Sequence, residues 1–289
     1  MPKVGAHVSA AVSLETSFEK AKNIGAQCTQ IFISPPRKWG FTEHGKEEIL
    51  RYKDIKSKTG IRPNFIHGTY LINLGTPNPE HLEKSIEWLK YALSYADKLG
   101  IEGVIFHLGS HKGVGYHQIL PQVTEALKKI LNETSSHMSS GNVDGGPLLI
   151  LETTAGAGNV IGDKFSEMGE ILKQVQDDRL KVCMDTQHAF AAGYDLKTAE
   201  GIDKTLEEFD KEIGLSNLAA IHANDSKTEL NSHIDRHANI GEGFIGIDGF
   251  KNLINHPKLK DISFILEVPG FSGNGPDEEN VKILNSLKD

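Results

Sequence analysis

The sequence predicts an α/β fold, namely a single-domain (β/α)8 TIM barrel over residues 1–289. Short apolar runs alternate with helix-patterned segments about eight times along the chain, which is the pattern of a parallel sheet covered by helices. The chain length is typical of one such barrel. Acidic residues and histidines also recur where the apolar runs end, and barrel enzymes carry their chemistry at the carboxyl ends of the strands.

Four strand-and-helix pairs are predicted in the first half of the chain. The strands cover 4–8, 28–33, 63–67 and 104–107, and the helices cover 14–24, 46–58, 79–99 and 119–131. The helices have apolar residues at intervals of three and four, as at Leu82 and Ile86. Asn78 and Pro79 begin the third helix as an N-cap followed by proline, and Gly100 ends it.

The alternation continues through the second half of the chain. The strands cover 148–152, 180–185, 218–222 and 262–267, and the helices lie at 165–175, 205–213, 250–254 and 278–287. A stretch rich in Ser and Gly, 135–146, separates the fourth helix from the fifth strand. We expect a flexible loop there, on the face of the barrel opposite the chemistry.

Composition and charge restrict the class of protein. The hydrophobic fraction of 38% and charged fraction of 24% are those of a globular protein with a large core. A net charge of −8 taken alone argues against a nucleic-acid partner, but bound divalent cations would add positive charge that a residue count omits. Cys28 and Cys183 lie in apolar runs and predict buried thiols in a reducing compartment. Without a signal-peptide pattern or a long apolar run, the protein is expected to be cytoplasmic and to have no membrane partner.

Residues with metal-binding side chains cluster at the predicted strand ends. Apart from His7 after the first strand, the candidates are His67, His107, Glu152, Asp185, His188, His222, Asp235, His237 and Glu267. Any one of these histidines could be a buried structural residue, but their joint position at one rim favours a metal centre. A set of His, Asp and Glu without Cys suits Zn²⁺ in a catalytic site, with Mn²⁺ or Fe²⁺ as alternatives. At three protein ligands per ion the set suits two or three ions, and a multinuclear site fits phosphoester hydrolysis.

The motifs around these residues resemble the endonuclease IV family, the metal-dependent apurinic/apyrimidinic (AP) endonucleases of base-excision repair, also called AP endonuclease family 2. The resemblance runs nearly end to end and rests on the segments 5–9, 67–75, 106–111, 151–156, 185–188, 222–227, 235–237 and 266–270. It implies three zinc ions per chain. One would be held by His67 and His107, with Glu152 bridging to a second; Asp185, His222 and Glu267 would complete the second, and His188, Asp235 and His237 would hold the third.

The resemblance also implies a reaction. The phosphodiester 5′ to an abasic deoxyribose would be attacked by a hydroxide held between metals, leaving a 3′-hydroxyl and a 5′-deoxyribose-phosphate, with cleaning of blocked 3′ ends as a related activity. Glu152 would be the catalytic residue that orients or deprotonates the attacking water. Two other carboxylates of the 222–242 stretch, Asp225 and Glu242, are assigned either to supporting the ligands or to structuring the loop, and not to binding the metals.

The implied partner is double-stranded DNA that contains abasic sites. Arg37 looks like the residue that this family inserts at the lesion, and Tyr70 and Leu71 look like its wedge pair, since apolar wedges and nucleotide flipping are how proteins reach a buried nucleotide. Lys227 and Arg236, together with Lys38, are expected to contact phosphates. The alternative for Tyr70 and Leu71 is packing of the loop against the barrel. A monomer is expected.

Three positions depart from the family pattern, and two other functions compete. Thr154 stands beside Thr153 where the family has Asn-Thr after the glutamate, and Gln187 and Val268 stand where it more often has Cys and Thr. These departures affect the surroundings of the ligands but not the ligands themselves. A metal-dependent sugar isomerase or epimerase uses the same type of barrel, but it needs fewer ligands. A metal-binding or damage-binding protein without catalysis is the other alternative.

Overall fold

Eight parallel strands close into a barrel in the computed structural model, which describes residues 1–135 and 145–289. The barrel strands are β1 Val4–His7, β2 Thr29–Ile31, β3 Asn64–His67, β4 Gly103–Phe106, β5 Leu148–Glu152, β6 Leu180–Asp185, β7 Leu218–His222 and β10 Ser263–Leu266. They follow one another around the barrel in chain order, and β10 pairs with β1 to close it. The predicted fold class is therefore confirmed.

Helices cover the outside of the barrel. Those in the described residues are α1 Thr16–Asn23, α2 Lys46–Thr59, α3 Pro79–Leu99, α4 Tyr116–Ser135, α5 Phe165–Val175, α6 Thr186–Ala192, α7 Ala199–Glu212, α8 Gly246–Ile254 and α9 Glu278–Ser286. The N-cap prediction for α3 is confirmed, because the Asn78 side chain accepts a hydrogen bond from the amide of His81. Gly100 ends the helix in the left-handed conformation. The flexible loop predicted at 135–146 falls almost entirely on 136–144, outside the described residues.

Two elements of the structure were absent from the sequence prediction. Helix α6 begins directly after β6, in a region that the prediction left without a helix until residue 205. Its residues are buried on nearly every side, so the segment has no polar face and hence no helical periodicity to detect. A small antiparallel hairpin, β8 Asp225–Ser226 and β9 His237–Ala238, was missed because two-residue strands show no alternation.

The barrel interior is filled by a layer of small and apolar side chains. It consists of Cys28, Phe65, Ile105, Ile150, Cys183, Ala220 and Ile265. A second and larger core lies between the strands and the surrounding helices. The interior layer excludes water from the lower part of the barrel, so the chemistry is confined to the carboxyl end of the strands. No helix in the described ranges, 1–135 and 145–289, is long and apolar enough to cross a membrane.

We expect Gly169→Ala to destabilise the protein. Gly169 on α5 packs against the end of α7, where an added Cβ would lie 2.0 Å from the carbonyl oxygen of Glu212. Because that neighbour is backbone, α5 must move away, and overpacking of this kind costs about 1–3 kcal/mol. Urea unfolding followed by circular dichroism measures the loss.

The matched control is Lys173→Ala, on the exposed side of the same helix. Its free energy of unfolding should stay within about 0.5 kcal/mol of the wild type. If both variants are equally stable, Gly169 and the carbonyl of Glu212 must be farther apart than in this structure.

Candidate metal centre

Most of the predicted ligands form a second layer directly above the apolar layer. Side chains two residues apart on a strand point to the same face. His67, Glu152 and His222 therefore follow Phe65, Ile150 and Ala220 into the barrel interior. The same spacing relates the remaining interior residues to His107, Asp185, Glu267 and Gln30.

Glu152 lies at the centre of this layer and is fully buried. Its Oε2 is 3.1 Å from Nε2 of His67 and 3.4 Å from Nε2 of His107. Its Oε1 is 2.9 Å from Nδ1 of His222 and 3.5 Å from Nδ1 of His188. The two oxygens of one carboxylate thus face two different sets of imidazoles, which is the geometry of a bridging ligand.

Three overlapping groups of ligand atoms result, each with its atoms within 4.8 Å of one another. They are His67, His107 and Glu152; Glu152, Asp185, His222 and Glu267; and Asp185, His188 and His237. Asp235 approaches the third group from the exposed side, 3.4 Å from Nε2 of His188 and 3.4 Å from Nε2 of His237. All nine candidates are brought together, and their assignment as ligands is taken up below as a proposal.

Hydrogen bonds to oxygen atoms orient four of the imidazoles. Nδ1 of His67 lies 2.8 Å from the carbonyl oxygen of Gly68, and Nδ1 of His188 lies 2.9 Å from that of Thr153. Because a carbonyl oxygen can only accept, these nitrogens carry the hydrogen, and the opposite nitrogen of each ring is free to bind a metal. In the same way, Nε2 of His222 donates to the side-chain oxygen of Gln30, and Nδ1 of His237 donates to the carbonyl oxygen of Glu267. The other nitrogen of each ring is again free to bind a metal.

The pKa values reflect dense packing of opposite charges. Burial raises the pKa of Glu152, but His107, His222 and His67 lower it by more, so it falls well below its usual value. Burial lowers the pKa of His188, and the carboxylates of Asp185, Asp235 and Glu152 reverse this and raise it to about 10. The carboxylates thus favour positive charge in the centre.

The residues fit divalent metal ions. Nitrogen and oxygen donors without thiolates suit Zn²⁺, Mn²⁺ or Fe²⁺. Cations at these positions would replace the protons that the carboxylates otherwise stabilise on the imidazoles. In addition, Nε2 of His237 is buried and has no hydrogen-bond partner within residues 1–135 and 145–289, as expected of an atom that points at a metal.

The third group depends on a helix cap. Asp185 is the N-cap of α6, and its Oδ1 accepts the amide hydrogen of His188 at 2.9 Å. This cap fixes His188 next to the strand end, while Oδ2 of Asp185 remains directed at His222 and His237, at 3.9 and 3.8 Å. The polar end of β6 therefore contributes both a ligand atom and the start of the helix that carries another.

Side-chain amides that the sequence prediction missed hold the carboxylates in place. Gln30 donates to Oε1 of Glu267 at 2.6 Å and accepts from His222. Asn224 donates to Oδ2 of Asp185 at 2.7 Å, and its own oxygen accepts the amide hydrogen of Glu267. A signal for Gln30 was present, since it is the polar residue in the middle of the apolar β2 segment.

The carboxylates of Asp225 and Glu242 are not part of the centre. Asp225 is fully buried below the loop after β9, and its oxygens accept amide hydrogens of that loop. The donors in that loop are Gly241, Gly243, Ile245 and Gly246, at 2.9 to 3.3 Å, and the neighbouring Ser226 on β8 also donates, at 2.8 Å. Glu242 is exposed and accepts one bond from Asn239.

A groove of about 1490 Å³ lies above the ligands. Its lining includes His67, His107, His188 and Glu267 on the floor and Tyr70 on the wall. A cavity of this size and shape can accept a polymer segment as well as a small molecule.

The residues predicted to bind DNA all lie on rim loops at this end of the barrel. Arg37 and Lys38 are exposed after β2, while Lys227 and Arg236 are exposed at the two ends of one loop. Tyr70 is 59% exposed, and its ring packs edge-on against Phe32 at 5.7 Å. Leu71 is partly buried beside it. The amide of Tyr70 donates to the carbonyl of Pro36, so the loop that carries Arg37 and the loop that carries Tyr70 are joined.

Comparison with known proteins agrees with the motifs. Residues 18–288 match the family model described as "Xylose isomerase-like TIM barrel". A protein from Halothermothrix orenii named "Probable endonuclease 4" is 44% identical, and the alignment covers 98% of this chain and 99% of that one. The crystal structure of endonuclease IV from Thermus thermophilus is 34% identical, superimposes with a TM-score of 0.85, and covers 99% and 98% of the two chains. The chain belongs to the endonuclease IV family.

Likeness to sugar-converting barrels extends to the fold alone. A D-tagatose 3-epimerase-like protein superimposes with a TM-score of 0.69 at 22% identity, covering 99% of this chain and 96% of that one.

Among the positions that depart from the family pattern, Thr154 is buried and donates to the carbonyl of Ile161. Val268 is buried and lines the groove. Gln187 is buried on α6 beside His188.

We expect Asp225→Ala to lower the free energy of unfolding by about 3 kcal/mol or more, because several buried amide hydrogens lose their acceptor at about 1–3 kcal/mol each. Glu242→Ala, which removes an exposed carboxylate from the loop that Asp225 holds, should cost less than about 1 kcal/mol. Chemical denaturation of the two variants in chelator measures both values without a contribution from bound metal. Similar losses would contradict the different roles given to the two carboxylates.

Proposed function

We propose that this chain is a metal-dependent DNA-repair endonuclease that hydrolyses the phosphodiester 5′ to abasic sites in double-stranded DNA. The observation that carries the proposal is the central position of Glu152, whose two oxygens face two different sets of imidazoles. Membership of the endonuclease IV family supports the reaction class. The products would be a 3′-hydroxyl and a 5′-deoxyribose-phosphate, and we propose cleaning of blocked 3′ ends at the same centre.

Three Zn²⁺ ions per chain are proposed, with Mn²⁺ or Fe²⁺ possible at some positions. His67 and His107 would hold the first and Asp185, His222 and Glu267 the second, with Glu152 shared between them. His188, Asp235 and His237 would hold the third. Together the ions would supply Lewis acidity at the phosphate and activation of the attacking water.

Glu152 is proposed as the catalytic residue. Burial in the barrel fixes its side chain, and four imidazole contacts leave it little freedom to rotate. A carboxylate held in this way can orient a water molecule between its two oxygens and accept its proton. The amides of Gln30 and Asn224 restrain Glu267 and Asp185, so the surrounding ligands remain in one arrangement.

DNA would lie along the groove with its backbone on the rim. Tyr70 and Leu71 are proposed to enter the duplex at the lesion, and Arg37 to occupy the space left by the missing base. An abasic nucleotide is easy to extrude because it has lost its base pair and its stacking. Lys38, Lys227 and Arg236 would contact phosphates and offset part of the negative charge of the chain.

We further propose that the protein acts as a monomer in the cytoplasm. The two cysteines are free and buried in the structure, as suits a reducing environment. A sugar isomerase or epimerase is not favoured by any feature of the described residues beyond the fold.

We expect Glu152→Gln to abolish most of the incision activity. The exchange keeps the shape of the side chain but removes the charge that metals and water require, and loss of a general base alone costs about 10²–10⁴-fold. Cleavage of a duplex with a single abasic site, resolved on a denaturing gel, measures the rate and the position of the cut. Metal content of each protein is measured in parallel.

The control is Glu170→Gln, which changes a carboxylate on α5 that bonds to Tyr116. It should cut like the wild type. An inactive wild-type protein with its full metal content would exclude the proposed function, and turnover of a ketose by that protein would favour the epimerase.

We expect Tyr70→Ala to weaken binding to the abasic duplex by about tenfold, since contacts between an aromatic side chain and a base are worth about 1–3 kcal/mol. Metal content should not change, because Tyr70 holds none of the ligands by a hydrogen bond of its side chain. Both proteins carry Glu152→Gln so that the DNA is not cut during the measurement. Fluorescence anisotropy in chelator-free buffer then gives the affinity for the duplex with and without Tyr70→Ala. Phe244→Ala, which removes an aromatic ring of 42% exposure elsewhere, is the control. If the Tyr70 variant binds the duplex as tightly as its parent, Tyr70 does not enter the DNA. Its role would then be to pack the loop against the barrel.

A further inference from the structure

The third ligand group is assembled from three separate segments of the chain. His188 is on α6, Asp235 is at the end of the loop 227–236, and His237 begins β9. Asp235 is 59% exposed at its side chain. Burial therefore does not fix this ligand, and its position depends on how the loop is attached to α6.

Gln187 contacts the loop and the hairpin from α6. Its side chain is fully buried, and Nε2 donates to the carbonyl oxygen of Ile234 at 2.9 Å. The same nitrogen lies 3.5 Å from Oγ of Ser226. Ile234 directly precedes Asp235, and Ser226 is paired with His237 across the β8–β9 hairpin. The amide of Gln187 therefore makes contacts next to Asp235 and next to His237. These are the two ligands that face His188, the residue after Gln187 in the chain.

Backbone bonds attach the loop elsewhere. The amides of Asn231 and His233 donate to the carbonyls of Phe190 and Ala191 at the end of α6, at 3.1 and 2.9 Å. These bonds hold the middle of the loop, two or more residues before Asp235. The Gln187 bond attaches the residue directly before Asp235 to α6, alongside a bond from the Thr228 hydroxyl within the loop.

The buried amide is not explained by the stability of α6. Oε1 of Gln187 has no hydrogen-bond partner in the described part of the chain, and a buried polar atom left unpaired costs about 1–3 kcal/mol. An apolar side chain would fill the same space without that cost. Rotating the amide by half a turn would bring Oε1 against the carbonyl of Ile234, so the donor must face the loop.

We propose that Gln187 is a positioning residue that fixes Asp235 and His237 opposite His188 and thereby sets the metal affinity of that group. The proposal rests on the metal site of the proposed function. It gives a role to one of the positions at which this chain departs from the family pattern. Groups that orient metal ligands typically change metal affinity by about 10–100-fold when removed.

The test uses Gln187→Met, which keeps the length of the side chain and removes the donor. Zn²⁺ binding by the full chain is measured by competition with a chromogenic chelator, with metal content determined after dialysis. We expect one Zn²⁺ to be held about 10–100-fold more weakly than in the wild type, with the others unchanged. Thermal unfolding in excess chelator should be close to that of the wild type, because Ile234 retains the hydroxyl of Thr228 as a donor.

Gln122→Met is the matched control. Gln122 is on α4, and its Nε2 also donates to loop carbonyls, those of Leu74 and Thr76, at 2.8 and 2.9 Å. It contacts none of the ligands by these bonds. Zn²⁺ affinity should therefore not change, although the same type of hydrogen bond is lost. If Gln187→Met does not fold, Gln187→Leu provides the same measurement, because it also removes the donor and places no charge against the carbonyl of Ile234.

A double-mutant cycle with Asp235→Asn separates positioning from a general structural effect. Because Gln187 acts on Asp235 as well as on His237, Gln187→Met should weaken Zn²⁺ binding more in the wild type than in the Asp235→Asn background, where only the effect through His237 remains. An equal effect in both backgrounds, or wild-type affinity in the single variant, overturns the role of Gln187 while leaving the proposed function intact. If the variant His188→Ala binds as many Zn²⁺ ions as the wild type, the third metal site and this inference are both overturned.

Discussion

The two-residue repeat of the parallel strands is the constraint on which the centre depends. In a closed barrel, every second side chain of each strand points inward, and at the carboxyl end the last inward position of each strand lies in one layer. Here the layer below is small and apolar, and the layer above is composed of imidazoles, carboxylates and an amide. The lower layer prevents water from reaching the buried charges from below, and it supports them at a fixed height. In the described part of the chain, a substrate can therefore reach the ligands from above, through the groove.

Burying so many ionisable groups is costly unless each has a partner. The structure meets this requirement in two ways. Carboxylates and imidazoles contact one another directly, which holds the pKa of Glu152 low and raises that of His188. Neutral groups then occupy the remaining hydrogen-bonding positions, with Gln30 between His222 and Glu267 and Asn224 on Asp185. Gln30 and backbone carbonyl oxygens together determine which nitrogen is free on four of the rings.

The part of the centre outside the barrel is built differently. Helix α6 and the loop 227–236 lie outside the barrel sheet, and side-chain bonds supplement the backbone bonds that attach them to each other. The cap at Asp185 starts α6, Gln187 bonds to the loop, and Asp225 gathers the amides of the turn that follows β9. The rim residues Arg37 and Tyr70 also lie on loops outside the barrel sheet.

The sequence by itself determined the barrel and its candidate ligands, because both follow from local pattern. Alternating apolar strands and helices imply a parallel closed sheet, and residues such as His107 and Glu152 are recognisable where a strand ends. Local pattern did not group those residues, although the family resemblance implied a grouping. Only the tertiary structure decided which atoms meet, since Glu152 contacts His67 and His222 from positions 85 and 70 residues away in the chain. Helix α6 could not be predicted, because a segment buried on all sides has no periodicity. The role of Gln187 was likewise beyond local pattern, and Gln30 was visible only as a polar residue in an apolar strand, because a hydrogen bond between distant segments leaves no periodic trace in either of them.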